Sequence, residues 1–575
     1  MKLKSYLPFI DWISNYSSSY LKYDVVAGIT VAVLLIPQGM AYALIAGLPP
    51  IYGLYAALTP QIVYALLGTS RQLAVGPVAM DSLLVAAGLG ALSIVDPSEY
   101  IQMAIVLALL MGSIQLLFGV LQMGFIVSFL SKPVINGFTS AAAIIIGLSQ
   151  LKHLLGIQLP QSNQLHIVIQ SLFNSDTPLH LMTFTIGVTS IVFILVIRKW
   201  NRKIPSALIA VVLGILWVYV NGLDKQGVSV VGLIPKGLPT FQIPTLEIET
   251  LKQLFPTALT LALVAFMEAI SVAKAIEEKH KNYVVDANQE LIALGSANFI
   301  GSLFQSYPAT GGFSRTAVNN QAGAKTGMAA LITALIVAFV LMFFTHWFYY
   351  LPKAVLASII VVAVVNLIDF KFAVLLYKKR KDEFAVLVIT FITTLFLGIS
   401  EGILCGILIS LLLLVYRASK PHHAFLGRIG TTNYFKNIYR FPEELIQRDD
   451  LIILRFDGQL FFGNIQYFKE LVLDSIREKE NTIKGFVINA RAINYIDSTA
   501  SEQLYDLILS LQKRGIRVMI VGAIGPARDL ILKSKLIKIL KKQNLFITSG
   551  DATDDFDGVM KKTALQKKLS RQSNA

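Results

Sequence analysis

Ser314 and Arg315 are the residues whose types and position point most directly to a chemistry. They follow Gly311-Gly312 in an otherwise apolar stretch, where extended backbone gives way to a short helix. The first N–H groups of a helix have no internal partner, and together they carry about half a positive charge. A serine hydroxyl donates a hydrogen bond to an anion, and arginine adds a full charge. The pattern therefore predicts an anion-binding site at this helix start.

A second break in the sequence has the same form. Gly76-Pro77 frees the backbone before another short helix, in which Asp81 lies about one turn from the start. Asp81 is interpreted either as a partner of the helix dipole or as a solvent-facing residue. Two helix starts that face each other from opposite halves of a membrane protein form an anion site near the midplane. Gln38 and Tyr42, about one turn apart, can add polar groups from one face of a helix.

Two acidic residues leave the role of Arg315 open. An arginine inside a bilayer either faces a wet cavity and a ligand, or pairs with an acid such as Glu268 or Glu290 and serves the scaffold. Glu268 lies in the apolar stretch Leu261–Ser271, where a carboxylate must be protonated or paired. It is a candidate site for a coupling proton or Na⁺, with a buried ion pair as the alternative. Glu290, near the cytoplasmic start of its segment, is interpreted as a structural ion-pair partner.

Several function classes find no support in the sequence. It has neither a zinc-type histidine spacing nor a phosphate-binding glycine motif, so it predicts no enzyme, no cofactor and no metal site. The net charge of +15 is interpreted as lysine and arginine in cytoplasmic loops and at anionic lipid headgroups, not as a nucleic-acid surface. Membrane lipids are therefore the expected surroundings, and nucleic acid is not an expected partner.

The elements that must position these residues are apolar segments of membrane-spanning length. The chain is 55% hydrophobic and 15% charged, and no charged residue lies between Asp24 and Arg71. About 20 apolar helical residues cross the hydrocarbon of a bilayer. The sequence predicts a polytopic α-helical membrane protein with about fourteen segments: Val25–Leu44, Tyr52–Leu67, Gly76–Gly90, Ile101–Leu121, Pro133–Leu151, Leu181–Ile197, Pro205–Val220, Phe255–Ala275, Ala287–Phe304, Phe313–Gln321, Met328–Phe348, Pro352–Ile368, Phe384–Ile399 and Glu401–Tyr416.

The two broken segments are the third and the tenth, and their spacing of seven indicates an internal repeat. The fifth and twelfth segments begin with similar sequences, Leu130–Val134 and Leu351–Val355. An odd number of segments per half inverts the second copy, so the pattern is typical of a transporter with 7+7 inverted repeats and two half-helices. Basic residues gather in alternate loops and predict cytoplasmic N- and C-termini in a plasma (inner) membrane.

The predicted domains follow from this division. Residues 1–23 form a cytoplasmic segment, 24–417 the membrane transport domain, 418–448 a linker, 449–555 a small α/β domain and 556–575 a basic disordered tail. In the α/β domain, buried strands alternate with amphipathic helices: Leu451–Phe456, Asn464–Lys479, Gly485–Asn489, Thr499–Lys513 and Gly515–Val521.

Several motifs together resemble the SulP family of sulfate permease-like anion transporters. They are Asp24–Thr30, Ile36–Tyr42, Gly68–Pro77, Asn288–Leu291, Gly311–Thr316 and Tyr350–Leu356. The resemblance implies fourteen segments in two inverted repeats, a core domain that rocks against a gate domain, a cytoplasmic STAS domain and assembly as a homodimer. It also implies an anion site formed by Gln38, Tyr42, Val78, Ala79, Ser314 and Arg315, with Glu268 as the acidic residue of the eighth segment.

The function that the resemblance implies is secondary transport of a small inorganic anion by alternating access. Sulfate is the first expectation, with proton or Na⁺ symport, and bicarbonate or a dicarboxylate is the alternative. An anion channel is a further alternative. A nucleobase permease of similar architecture is disfavoured, because the tenth segment carries Ser314 and Arg315 where such permeases are expected to use carboxylates.

Asn494–Thr499 resembles the signature loop of STAS domains. In related regulatory domains a serine near this point is phosphorylated, which makes Ser498 a candidate regulatory site. Helix capping is the favoured interpretation of Ser498, and the spacing of Thr499 and Glu502 predicts a capping box.

Overall fold

The structure of the 575-residue chain is a computed structural model. The structure describes residues 7–92, 94, 96–125, 131–157, 170, 178–201, 204–281, 283–365, 368–430, 432–446, 448–479 and 482–558. The chain divides into two compact units, Met1–Ser410 and Leu411–Ala575. Most of the basic tail that is expected over 556–575 lies outside the described residues.

The first unit is helical, apart from two very short strands. Among the described residues, seven helices are long and apolar enough to cross a membrane. Each of the fourteen predicted segments corresponds to helix in the structure. The elements are α1 (Phe9–Ser14), α2 (Ser18–Ile45), α3 (Pro50–Ala56), α4 (Thr59–Leu67), β1 (Val75–Gly76), α5 (Ala79–Gly90), α6 (Pro97–Val120), α7 (Lys132–Ser149), α8 (Leu151–Leu155), α9 (Leu181–Trp200), α10 (Ser206–Asn221), α11 (Ile248–His280), α12 (Ala287–Ser302), β2 (Thr310–Gly311), α13 (Phe313–Gln321), α14 (Met328–Phe343), α15 (Lys353–Val364), α16 (Phe370–Lys379), α17 (Lys381–Phe396) and α18 (Ile399–Ser419).

Helix α16 is an element that the hydropathy pattern did not predict. It has ten residues and ends in Lys378 and Lys379, so it is too short and too charged to register as a spanning segment. Its apolar side chains Phe370 and Val374 are exposed. A short helix with an apolar face and a basic end is typical of one that lies along a membrane surface.

The two broken segments meet through their strands. β1 and β2 pair antiparallel, with Val75 opposite Gly311 and Gly76 opposite Thr310. The pairing continues where the Gly312 N–H donates to the Ala74 carbonyl at 3.0 Å. Extended backbone inside a membrane must satisfy its polar groups within the protein. These two strands do so for each other, and they place the starts of α5 and α13 beside one another.

Helices α6 and α12 form a close-packed support behind β2. A Cβ atom on Gly112 would lie 2.7 Å from the Gly295 carbonyl oxygen, and one on Gly295 would lie 2.8 Å from the Gly112 carbonyl oxygen. Only glycine permits this approach, which is common where helices pack inside membranes. From α12, Asn298 donates to the Ala309 carbonyl at 2.9 Å and accepts from the Ala309 N–H at 2.8 Å. The support thereby fixes the backbone that enters β2.

The second unit contains a mixed sheet with helices. Its sheet order is β4-β3-β6-β7-β8-β9, and β5 pairs with β3. Strands β6 to β9 are parallel, whereas β3 runs antiparallel to β6. The elements are β3 (His423–Ile429), β4 (Phe435–Asn437), β5 (Leu445–Ile446), β6 (Leu451–Phe456), α19 (Ile465–Arg477), β7 (Gly485–Asn489), α20 (Ser498–Lys513), β8 (Arg517–Val521), α21 (Gly525–Lys533), α22 (Leu536–Leu540), β9 (Leu545–Phe546) and α23 (Ser549–Phe556).

The prediction of a linker over 418–448 is wrong. This stretch contains β3, β4 and β5, and β3 pairs with the predicted strand β6 from His423 opposite Phe456 to Phe425 opposite Leu454. Ala424 and Leu426 are buried in the core below the sheet. The seven residues of β3 show no regular alternation of apolar and polar side chains and so give only a weak strand signal, and β6 supplies the pairing that stabilises the strand.

The predicted capping of α20 is also wrong. The cap is Asp497, whose side chain accepts a hydrogen bond from the Ala500 N–H at 2.7 Å. Ser498 is the first residue of the helix and is exposed. Both Thr499 and Glu502 lie two positions beyond those that a capping box requires, which are Asp497 and Ala500. The exposed hydroxyl of Ser498 remains a candidate regulatory site.

The sheet topology predicts where an independently folding fragment must begin. A fragment of residues 421–558 keeps β3, whereas 449–558 loses β3 together with the buried Ala424 and Leu426. Because burial of one leucine contributes about 1.5–3 kcal/mol, we expect the shorter fragment to be less stable by at least about 2 kcal/mol. Urea unfolding followed by far-ultraviolet circular dichroism measures this difference. Equal unfolding midpoints would contradict the assignment of β3 to the domain.

Candidate functional site

Arg315 lies in the first turn of α13 and reaches the start of α5. It is 1% exposed, and its Nη1 donates to the carbonyl of Pro77 at 2.8 Å. Gly312 makes room for it, because a Cβ atom there would lie 2.7 Å from Nη2. Nε and Nη2 have no hydrogen-bond partner among the described residues. The guanidinium therefore bridges the two half-helices and keeps two donors free.

The starts of α5 and α13 are themselves uncapped. Val78 is the N-cap residue of α5 and Gly312 that of α13; both have extended backbone, and neither offers a side-chain cap. The first N–H groups of both helices are thus left without side-chain acceptors. Their partial positive charges and the free donors of Arg315 form one electropositive region. A small anion at this point would receive hydrogen bonds from both halves of the repeat.

The other predicted site residues lie around these helix starts. Tyr42 is 5% exposed and interacts electrostatically with Arg315. Gln38 lies about one turn earlier on α2, and its buried Oε1 has no partner in the part of the chain that the structure describes. Ala79 is the first residue of α5 and is buried, whereas Ser314 is exposed. Val78, Ala79, Ser314 and Arg315 therefore all belong to the two helix starts.

Two acids share the region with Arg315. Asp81 is fully buried and Glu268 is 9% exposed. Within the described ranges, both carboxylate oxygens of Asp81 and Oε2 of Glu268 lack a hydrogen-bond partner. Both interact electrostatically with Arg315, yet among the described residues neither forms an ion pair with it. The predicted scaffold pairing of Arg315 is therefore not formed. Buried polar atoms without partners cost free energy, so this cluster is where a bound ion would supply what the protein lacks.

Glu290 is not an ion-pair partner, contrary to the prediction. Among the described residues its carboxylate accepts only from neutral groups: Tyr64 Oη at 2.7 Å, the Thr69 N–H and Oγ1 at 2.7 and 2.6 Å, and the Ser70 N–H at 3.2 Å. Four such bonds stabilise a carboxylate without a cation. Glu290 thereby holds the loop that leads into β1.

Asp24 is a second buried carboxylate that accepts hydrogen bonds from neutral groups. From the sequence it was recognised only as part of a family motif. It is fully buried and accepts from the Lys325 N–H at 2.7 Å, the Thr326 N–H at 3.2 Å and Thr326 Oγ1 at 2.7 Å. These residues follow α13, so Asp24 holds the exit of the second broken segment. Its position at the edge of a charge-free stretch was the available signal.

Two hydrogen bonds that the sequence did not reveal fix the region around the acids. Thr310 Oγ1 donates to the Ala265 carbonyl at 2.7 Å, which ties β2 to α11 within one turn of Glu268. The hydroxyls of Ser82 and Tyr307 lie 3.0 Å apart and tie α5 to the segment before β2. Both bonds join a residue of a broken segment to its surroundings, so they hold the acids and Arg315 in one place.

Comparison with known proteins agrees with this architecture. The model of the sulfate permease family matches residues 21–390, and the model of the STAS domain matches residues 444–552. The chain belongs to the sulfate permease family. The fold class predicted from the sequence is thereby confirmed, with a multi-pass membrane unit and a C-terminal STAS domain. In this permease the sheet of the STAS domain also includes β3, which precedes the matched range.

Similar proteins span nearly the whole permease chain. It is 38% identical over 567 residues to "Sulfate transporter 4.1, chloroplastic" of Arabidopsis thaliana, covering 95% of this chain and 82% of that protein. Its structure is similar to the murine Slc26a9 anion transporter in the inward-facing state, with a TM-score of 0.90, 25% identity and coverage of 97% and 94%. The transmembrane domain of a cyanobacterium bicarbonate transporter, BicA, shares the fold at a TM-score of 0.60 and 24% identity, with coverage of 68% and 98%.

The contacts of Glu290 predict a stability effect. Glu290→Ala leaves the hydroxyl of Tyr64 and the N–H of Thr69 buried without an acceptor, and each such loss costs about 1–3 kcal/mol. We expect the melting temperature of the detergent-purified permease to fall by roughly 5 °C or more. Glu278→Ala, on the exposed side of α11, is the matched control and should leave the melting temperature nearly unchanged. Equal melting temperatures for both variants would show that Glu290 is not a structural centre.

Proposed function

We propose that this permease is a secondary transporter that moves sulfate across the membrane by alternating access. The observation that carries the proposal is the buried Arg315, whose Nε and Nη2 remain free between two uncapped helix starts. The printed name of the Arabidopsis relative as a sulfate transporter supports the choice of anion. The first N–H groups of α5 and α13, Arg315, Ser314 and the hydroxyl of Tyr42 are the proposed donors.

The charges of the region suit a dianion. Arg315 contributes one positive charge, and each of the two helix starts contributes about half a charge. Together these roughly offset the two negative charges of sulfate, provided that the neighbouring acids are neutral. The guanidinium is planar and presents its donors as a fork, which matches two oxygens of a tetrahedral anion. Ser314 is exposed, and we propose that its hydroxyl donates to the anion.

Glu268 is the proposed coupling residue. An ionised carboxylate beside sulfate would repel it, because both are negative in a buried, weakly screened site. Protonation removes this repulsion, so uptake of a proton at Glu268 favours anion binding, and release of the proton favours anion release. This is the requirement for symport. A Na⁺ ion bound by the same carboxylate is the competing possibility, and the transport assay separates the two.

The membrane location, the orientation and the assembly of the transporter also belong to the proposal. The basic residues Arg71, Arg198, Lys325 and Lys378 belong to the alternate loops that the positive-inside rule assigns to the cytoplasm. We infer an inner or plasma membrane location with both termini cytoplasmic. Assembly as a homodimer is inferred from the family.

The first experiment tests the anion site through Arg315. Arg315→Gln removes the charge and the free donors, and charge-assisted hydrogen bonds contribute about 1.5–3 kcal/mol. We therefore expect the Kd for sulfate of the purified protein to rise by about 10- to 100-fold. Arg71→Gln is the matched control outside the site. Calorimetry with sulfate, bicarbonate and a dicarboxylate identifies the preferred anion, and an unchanged sulfate Kd in Arg315→Gln would overturn the site.

The second experiment tests coupling in proteoliposomes. Wild-type protein should accumulate labelled sulfate when an inward proton gradient is imposed, and a Na⁺ gradient alone should not drive it. We expect Glu268→Gln to lose most of the gradient-driven accumulation while sulfate exchange at equal pH persists. Glu278→Gln, on the same helix but exposed, should behave as wild type. Normal accumulation by Glu268→Gln would leave Glu268 without a coupling role, and linear, non-saturating flux would indicate a channel.

A further inference from the structure

Asp81 is the charged residue of the region that the proposed function leaves unused. It lies in the first turn of α5 and is fully buried, and neither carboxylate oxygen has a hydrogen-bond partner among the residues that the structure describes. Glu268 on α11 and Arg315 on α13 are the charged groups that interact with it electrostatically. A buried carboxylate in this condition needs a proton or a cation. Arg315 supplies charge but makes no hydrogen bond to it.

The packing of α5 on α11 explains why the two acids face each other. A Cβ atom on Gly88 would lie 2.3 Å from Thr257 Cγ2, so the helices touch at that pair. Asp81 lies seven residues before Gly88, which is about two turns along the same face. Glu268 lies eleven residues after Thr257, which is about three turns along the same face. Since the helices run in opposite directions, both acids lie on the contact side and toward the paired strands.

We propose that Asp81 is a second proton-binding carboxylate of the transport site, so that each sulfate binds together with one proton on Asp81 and one on Glu268. This inference rests on the proposed function, because it concerns the same site and the same anion. It adds a residue to the coupling machinery and fixes the number of protons that are coupled to one anion.

A balance of charges leads to this number. In the empty site, two ionised carboxylates offset Arg315 and two helix starts of about half a charge each. In the loaded site, the dianion takes the place of the two carboxylate charges, provided that both acids are protonated. The region then stays close to neutral in both states, which the low polarisability of a membrane interior favours. If Asp81 kept its charge beside sulfate, the loaded site would carry about one uncompensated negative charge.

The remaining charged and titratable groups nearby do not change the number of protons. Arg198, in the last turn of α9, interacts electrostatically with Tyr42, but an arginine keeps its charge in both the empty and the loaded site. Tyr42 on α2 and Tyr307 before β2 interact electrostatically with Arg315, and Tyr307 also interacts with Asp81. A phenol is neutral at physiological pH, and the Tyr307 hydroxyl already contacts Ser82. Asp81 and Glu268 are therefore the two groups that exchange protons when the anion binds.

Calorimetry on the purified full-length protein counts the protons directly. Sulfate is titrated at one pH in buffers of different ionisation enthalpy, and the slope of the observed enthalpy gives the protons taken up per anion. We expect about two for the wild type, about one for Asp81→Asn and about one for Glu268→Gln. Asp224→Asn, in the 3₁₀ turn after α10, is the matched control and should keep the wild-type count.

Transport provides an independent readout. Two protons with one sulfate carry no net charge, so wild-type uptake should be insensitive to membrane potential. Asp81→Asn should carry one net negative charge per cycle, and an inside-positive potential should accelerate its uptake. Asp81→Glu restores the carboxylate and should restore insensitivity to the potential.

The outcomes separate the two proposals. Absence of sulfate binding in the wild type would overturn the proposed function and, with it, this inference. Sulfate binding with a wild-type count of one or fewer, or a count that Asp81→Asn leaves unchanged, would overturn the role of Asp81 alone. Proton-independent uptake that requires Na⁺ would also overturn it. If Asp81→Asn fails to fold, the wild-type count and its response to membrane potential still decide the question.

Discussion

The structure depends on one constraint, which is that backbone polar groups inside a membrane must find partners within the protein. Two segments stop being helical within the membrane unit, at β1 and β2. The antiparallel pair β1–β2 satisfies this backbone, from Val75 opposite Gly311 to Gly76 opposite Thr310. The pairing leaves two helix starts side by side without side-chain caps. The strand pairing that satisfies the backbone N–H and C=O groups therefore also creates the electropositive region that we propose as the anion site.

Buried acids in the membrane unit fall into two groups according to their partners. Asp24 and Glu290 each accept several hydrogen bonds from neutral groups, and they hold the loops that lead out of and into the broken segments. Asp81 and Glu268 have unpartnered oxygens beside Arg315. The first pair gains its stability from the fold alone and serves the scaffold. The second pair leaves free energy to be gained from an ion, and that is the property a transport site requires.

The soluble unit shows a different relation between sequence and structure. Strands β6 and β7 are mostly buried and apolar over Leu451–Phe456 and Gly485–Asn489, and both were predicted at the observed bounds. Strand β3, which lies between β4 and β6, mixes polar and apolar residues and was interpreted as part of a linker. Its formation depends on β6 as a partner, and no pattern within its own seven residues reports that partner. The capping of α20 by Asp497 was missed because the serine and threonine beside it offered competing caps.

By itself, the sequence determined the membrane segments, both half-helices and the family, and it predicted Arg315 as a site residue. These features follow from local properties, namely runs of apolar residues and the glycines and prolines that interrupt them. Only the tertiary structure decided which acid does what. Glu290 meets Tyr64 across 226 residues of sequence, and Asp24 meets Thr326 across 302. Whether a buried carboxylate has hydrogen-bond partners depends on donors that lie hundreds of residues away in the sequence. The residues next to the carboxylate do not indicate which donors the fold brings to it.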